Sequence, residues 1–136
     1  MNQYETKIQQ NIRTTNTTFI SKADFNSVED YQFLRINDSL KMAYLDIGNP
    51  EKPLVVLLHG EPNSSFVYRN IAPKIVAKGF RVIIPDLIGF GYSDKPKHGK
   101  TYTYTNHTKW LNSFFNKLNY KNLFFAFLCY YTCIEK

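Results

Sequence analysis

The residues best suited to chemistry fall in two short segments. His59-Gly60-Glu61-Pro62 directly follows an unbroken apolar run. A glycine there lets the backbone turn tightly, so that the next N–H groups, that of Glu61 first, point into a pocket. Donors held in that way suit an oxyanion or a halide. The second segment, Pro85-Asp86-Leu87-Ile88-Gly89-Phe90-Gly91-Tyr92-Ser93-Asp94-Lys95-Pro96, follows another apolar run and sets the carboxylate of Asp86 at its start. Two side chains carry alternative readings: His59 as a general base or as a brace for the Gly60 loop, and Asp86 as a carboxylate nucleophile or as a structural residue. His98 and His107 have no Cys or Asp partner at metal-ligand spacing, so no metal site is expected.

The elements that must position these segments follow from periodicity. Leu54-Val55-Val56-Leu57-Leu58 is continuously apolar with a β-branched pair, the pattern of a strand buried on both faces of a parallel sheet. Phe80 to Ile84 is a second such run, and a third starts at Asn122-Leu123. Between the first two, Phe66, Ile71, Ile75 and Val76 recur at near-helical spacing up to Lys78-Gly79, with Gly79 a helix stop and Pro73 a weakness or break. After the second run, His107, Leu111, Phe114, Phe115 and Leu118 form one face of an amphipathic helix capped by Thr103 or Thr105, with Trp110 and the Phe114–Phe115 pair in the core. Ahead of the first run, Tyr31–Ile36 and Leu40–Ile47 read as an edge hairpin joined by Asn37-Asp38-Ser39 and closed by Gly48-Asn49-Pro50.

Alternation of strand and helix predicts an α/β fold, with parallel strands linked by right-handed crossovers and the chemistry at the strands' carboxyl ends. The loops at those ends are HGEP, PDLIGFGYSDKP and whatever follows Phe127. Residues 1–26 read as a polar lead-in, 27–122 as a partial domain and 123–136 as an apolar tail.

Composition bounds the partners. The chain has 136 residues, 43% hydrophobic, with 17 Lys+Arg against 11 Asp+Glu, which suits one modest domain or a piece of one. Its lysines are scattered, and Lys95 to Lys100 reads as a solvated loop, so no nucleic-acid stripe is expected. No signal peptide is read at the start. Leu123 to Ile134 spans 12 residues, short of the roughly 20 that a membrane helix needs. Cys129 and Cys133 lie in the last eight residues, cannot staple the rest of the chain, and point to a reducing cytoplasm.

The two motifs together resemble the haloalkane dehalogenase branch of the α/β-hydrolase fold, whose members carry HGEP or HGNP followed by PDxxGFGxSDKP. Tyr44-Leu45-Asp46, Tyr68-Arg69 and Tyr102-Thr103 extend the resemblance over roughly Arg13 to Asn122. Glu61 in place of Asn is similar to the members that hold halide with two tryptophans. The resemblance implies displacement of halide from an sp³ carbon by an aspartate, and hydrolysis of the resulting ester by histidine-activated water, without metal or cofactor. It implies that Glu61 contributes its backbone N–H, that Gly60 makes the turn and that His59 braces it. It also makes Asp86, Gly89 and Gly91 the frame of the second loop. Small haloalkanes are the substrates it implies for an intact relative.

The resemblance stops near Asn122. In the family the nucleophile sits in a segment reading roughly VQDWGG, and the aligned residues here are Leu128-Cys129-Tyr130-Tyr131, without the Asp, the Trp or the Gly. Cys129 as a substitute nucleophile is disfavoured because Tyr131 stands where the strained elbow requires a glycine. A terminal prenylation motif is disfavoured by Glu135 and Lys136. The expectation is therefore an amino-terminal part of a dehalogenase-like protein whose tail is scrambled by a frameshift or early stop, with no catalytic residue of its own. The other readings are a fragment of an epoxide hydrolase or esterase relative, and a non-catalytic chain that binds a partner, or aggregates, through an open sheet edge.

Overall fold

Alternating burial along single strands shows how the sheet is sandwiched. On β2 (Lys41–Ile47), Ala43, Leu45 and Ile47 enter one core, whereas Met42 and Tyr44 enter another. On β4 (Arg81–Pro85), Val82 and Ile84 join the first core and Ile83 the second. That two-residue period places the cores on opposite faces of the sheet. The remaining strands are β1 (Gln32–Arg35), β3 (Leu54–Leu58) and β5 (Leu123–Phe127), and the spatial order is β1-β2-β4-β3-β5. This computed structural model describes residues 23–119 and 123–127. The expectations for the lead-in before residue 23, for Leu128–Tyr131 and for Cys133 lie outside the described residues.

β1 and β2 form the antiparallel edge hairpin, and β2 runs antiparallel to β4. The Asn37 side chain shapes the hairpin turn by accepting from the N–H groups of Ser39 at 2.9 Å and Leu40 at 2.8 Å. β3 is parallel to both β4 and β5, so each connection must cross a face of the sheet. Helix α1 (Ala72–Ala77) makes the first crossover and packs into the core of Leu45 and Val82. Helix α2 (Tyr104–Leu118) makes the second and seats Trp110 and Phe114 against Val56 and Ile83. Each large apolar side chain buried in this way contributes about 1.5–3 kcal/mol. Phe25 is buried in the first core, so the end of the polar lead-in is packed against the sheet.

One local expectation changes. The spacing from Phe66 to Val76 does not form one helix: a 3₁₀ turn, Ser65–Tyr68, precedes α1. Pro73 begins the helix instead of breaking it, because a first-turn residue has no intrahelical partner for an N–H. Phe66 and Ile71 consequently face outward, and Tyr68 and Ala72 take the inward positions. At α2 the cap is Thr103, whose side chain accepts from Asn106 N–H at 3.1 Å. Gly79 follows α1 with φ +92°, the left-handed conformation of a helix stop. Among the described residues, no helix is long and apolar enough to cross a membrane.

Candidate functional site

Parallel pairing of β3 with β4 brings their carboxyl ends side by side, so the loops after Leu58 and Pro85 meet at one end of the sheet. His59 is the bolt between them. Leu87 N–H donates to its Nε2 at 2.9 Å, and its Nδ1 lies 2.9 Å from the Gly60 carbonyl. A peptide N–H can only donate and a carbonyl can only accept, so this pair of contacts selects the neutral tautomer with the proton on Nδ1. Burial pushes the His59 pKa down, against the smaller upward pulls of the Gly60 carbonyl and the Asp86 charge. The edge of the ring meets Phe90 at 5.5 Å between centroids. With both nitrogens engaged and 4% of the residue exposed, His59 has no free lone pair to offer a substrate water.

Asp86 is fully buried. Its Oδ1 accepts from Ser65 N–H at 2.7 Å and its Oδ2 from Tyr92 N–H at 3.0 Å. Its carbonyl accepts from Ser93 Oγ at 2.5 Å, while Ala43 N–H donates to the same Ser93 oxygen at 2.8 Å. The carboxylate thus ties the HGEP side of the site to the second loop through backbone donors. Gly91 sits at φ +52° against that carboxylate, and a Cβ at this position would overlap it. Gly89, at φ +96°, lies under the Tyr102 ring in the same way. Both positions demand glycine on backbone conformation and on space.

Glu61 lies at the tip of the first loop and is exposed. The turn is closed by Asn63 N–H donating to the Gly60 carbonyl at 2.9 Å. The Glu61 N–H makes no hydrogen bond to any described residue. Beside it opens a cleft of about 430 Å³ lined by Asn63, Ser64, Phe66, Arg69, Gly89 and Phe90. His107, on α2, packs edge-on against Trp110 at 5.0 Å. Burial lowers its pKa, and the nearby Glu61 charge partly offsets this.

His98 precedes the exposed 3₁₀ turn Gly99–Thr101. Among the described residues no cluster of His, Cys, Asp or Glu could hold a metal ion. Lys95 is exposed on its loop, and its Nζ donates to the Gly91 carbonyl at 2.5 Å and the Ser93 carbonyl at 3.1 Å and so closes the glycine turn. Sequence reasoning missed Ser65, Ser93 and Tyr31, whose hydroxyl shares a 2.6 Å hydrogen bond with Ser65 Oγ. It missed Tyr68 too, which donates to the Leu58 carbonyl at the end of β3. Ser65 lies beside the turn-forming Asn63-Ser64, Ser93 within the second motif and Tyr68 in the Tyr68-Arg69 pair, but nothing local states their partners.

The family described as alpha/beta hydrolase fold matches residues 53–126. A haloalkane dehalogenase of Mycobacterium marinum is 41% identical over 109 residues, covering 79% of this chain and 37% of the relative. Among solved structures, a haloalkane dehalogenase from Paraglaciecola agarilytica superimposes with a TM-score of 0.66 at 36% identity, over 70% of this chain and 33% of that one. An epoxide hydrolase from Mycobacterium thermoresistibile gives 0.61 at 26% identity, over 71% of this chain and 30% of that one. The chain therefore spans a little over a third of the curated relative's length. This chain therefore belongs to the alpha/beta hydrolase fold family, with haloalkane dehalogenases among its relatives at about 40% identity.

Proposed function

We propose that this chain carries the anion-holding part of a haloalkane dehalogenase-like hydrolase and does not catalyse dehalogenation alone. One observation carries the reading. The Glu61 N–H is left without a partner on a turn whose histidine is locked into the neighbouring loop. In the reaction, a carboxylate displaces halide from an sp³ carbon to give an alkyl ester and free halide. Histidine-activated water then hydrolyses the ester, releasing the alcohol and restoring the carboxylate. The Glu61 N–H is the donor to the negative charge that develops, Gly60 permits the turn, and His59 and Asp86 hold it in place. Asp86 is not the nucleophile, because both its oxygens are sealed under backbone amides. At the position aligned with the family's elbow the sequence reads Leu128-Cys129-Tyr130-Tyr131, so no carboxylate arrives there. The reading places the protein in the cytoplasm and holds that a frameshift or early stop scrambles the sequence beyond the family match, which ends at residue 126.

The test is a hybrid in which residues 23–122 replace their counterpart in the Mycobacterium marinum relative. Halide release from a small bromoalkane is expected from the hybrid and not from the 136-residue chain. Glu61→Pro in the hybrid removes the N–H and lowers kcat roughly 10²–10³-fold, the loss seen when one such donor is deleted. A folded hybrid in which Glu61→Pro retains full activity refutes the assignment.

A second reading, in which the chain binds a partner by strand addition, draws on the unequal sheet edges. At the β1 edge, Lys117 Nζ covers the Arg35 carbonyl at 2.7 Å and Ser113 covers that of Ile36. The outer edge of β5 pairs with no described strand. Loss of partner capture when Phe125→Pro is introduced would separate this reading from the first.

A further inference from the structure

The Gly60 carbonyl and the Glu61 N–H are two ends of one peptide group, which places the His59 contact directly behind the unpaired donor. Three hydrogen bonds point the same way along this chain of atoms. Leu87 N–H donates to His59 Nε2, His59 Nδ1–H donates to Gly60 O, and Asn63 N–H adds a second donor to that oxygen, each at 2.9 Å. At the far end, the Glu61 N–H has no acceptor among the described residues.

We propose that His59 is a positioning residue that polarises the Gly60–Glu61 amide, strengthening and aiming the Glu61 N–H, and that its own ring is oriented and polarised by the Leu87 amide. A donor on a peptide oxygen draws electron density from the attached nitrogen, making its N–H a better donor. Successive bonds in a buried chain strengthen each other by roughly 10–30% each. The groups facing the ring serve the same end. Asp86, at the end of β4, favours its protonation, whereas burial and His107 on α2 oppose it, and the net shift is downward. The ring therefore stays neutral at pH 7 and keeps the Nε2 lone pair that the Leu87 N–H needs. This inference rests on the proposed function only for its consequence, a stronger anion donor, and the relay itself is measurable without it.

The experiment uses the isotopically labelled full chain in solution NMR. A scalar coupling between Leu87 N and His59 Nε2 is expected across their hydrogen bond. In His59→Phe, which fills the space without an N–H, the Glu61 amide nitrogen is expected to move upfield while the amides of Val56 and Leu57 stay in place. His59→Asn, whose side-chain amide can reach Gly60 O, restores part of that shift. With sodium bromide as the probe, Kd read at the Glu61 amide is expected to weaken roughly two- to tenfold in His59→Phe and to recover in part in His59→Asn. A merely structural brace would leave the Glu61 nitrogen unmoved in a folded variant, which would overturn the relay. Should His59→Phe fail to fold, absence of the Leu87–His59 coupling in the native chain overturns it as well. Bromide that leaves native Glu61 unmoved while the coupling is present refutes the functional reading and leaves the relay standing.

Discussion

Replacing Asp86 separates a catalytic from an architectural carboxylate by the sign of its effect on stability. Its two oxygens accept from Ser65 N–H at 2.7 Å and Tyr92 N–H at 3.0 Å, with the residue fully buried. Asp86→Ala strands the buried Ser65 amide and takes its acceptor from the part-buried Tyr92 amide. A hydrogen bond to a charged group contributes about 1.5–3 kcal/mol, so the pair is worth about 3–6 kcal/mol. That is a large share of the roughly 5–15 kcal/mol that stabilises a typical domain. Asp86→Asn keeps one acceptor oxygen and turns an NH₂ toward the other amide, so about half the loss is expected. Urea unfolding of the full chain at pH 7, followed by circular dichroism, reads both variants. At about 1–3 kcal/mol per molar urea, the alanine midpoint falls by about 1 M or more and the asparagine midpoint by an intermediate amount. A nucleophile kept in a strained, unsatisfied site would instead leave stability unchanged or improve it on removal. An Asp86→Ala chain within about 1 kcal/mol of the native protein refutes the bracing argument.

Three further outcomes are expected. Gly79→Ala meets open space at φ +92° and loses only conformational strain of about 1–2 kcal/mol, whereas Gly91→Ala also drives its Cβ into the Asp86 carboxylate and loses at least about 2 kcal/mol more; equal losses in thermal melts would contradict the overlap. Burial lowers the folded pKa of His59, so the unfolded chain binds the proton more readily; stability is full above about pH 6.5 and declines as pH falls below it. His107 shifts in the same direction, so urea midpoints at pH 7.5 and 5.5 should converge partly, not fully, in His59→Gln, and an undiminished difference would exclude His59 as a source. Burial raises Tyr31 from 10.0 to about 12, with its Ser65 hydrogen bond opposing, so its contribution is intact below pH 10 and disappears between pH 10 and 12. Tyr31→Phe should flatten that alkaline limb, and an unchanged limb would show that another group titrates there.

What the residue order carried was everything local. Continuous apolar runs marked β3 and β4, the turn residues Asn37-Asp38-Ser39 marked the hairpin, and the glycines at 89 and 91 marked places where the backbone turns. These signals are legible because strand and helix periods and left-handed glycines are properties of a few neighbouring residues. The partial helix expected from Phe66 failed for the complementary reason: its inner positions are chosen by which side chains fit the sheet, so Tyr68 and Ala72 displaced Phe66 and Ile71. Neither loop motif states that His59 meets Leu87, 28 positions away, or that Asp86 meets Ser65, 21 positions away. Those contacts exist because β3 and β4 lie parallel and end together. Hydrogen-bond partners across such a gap are set by strand register, which only the packed sheet decides.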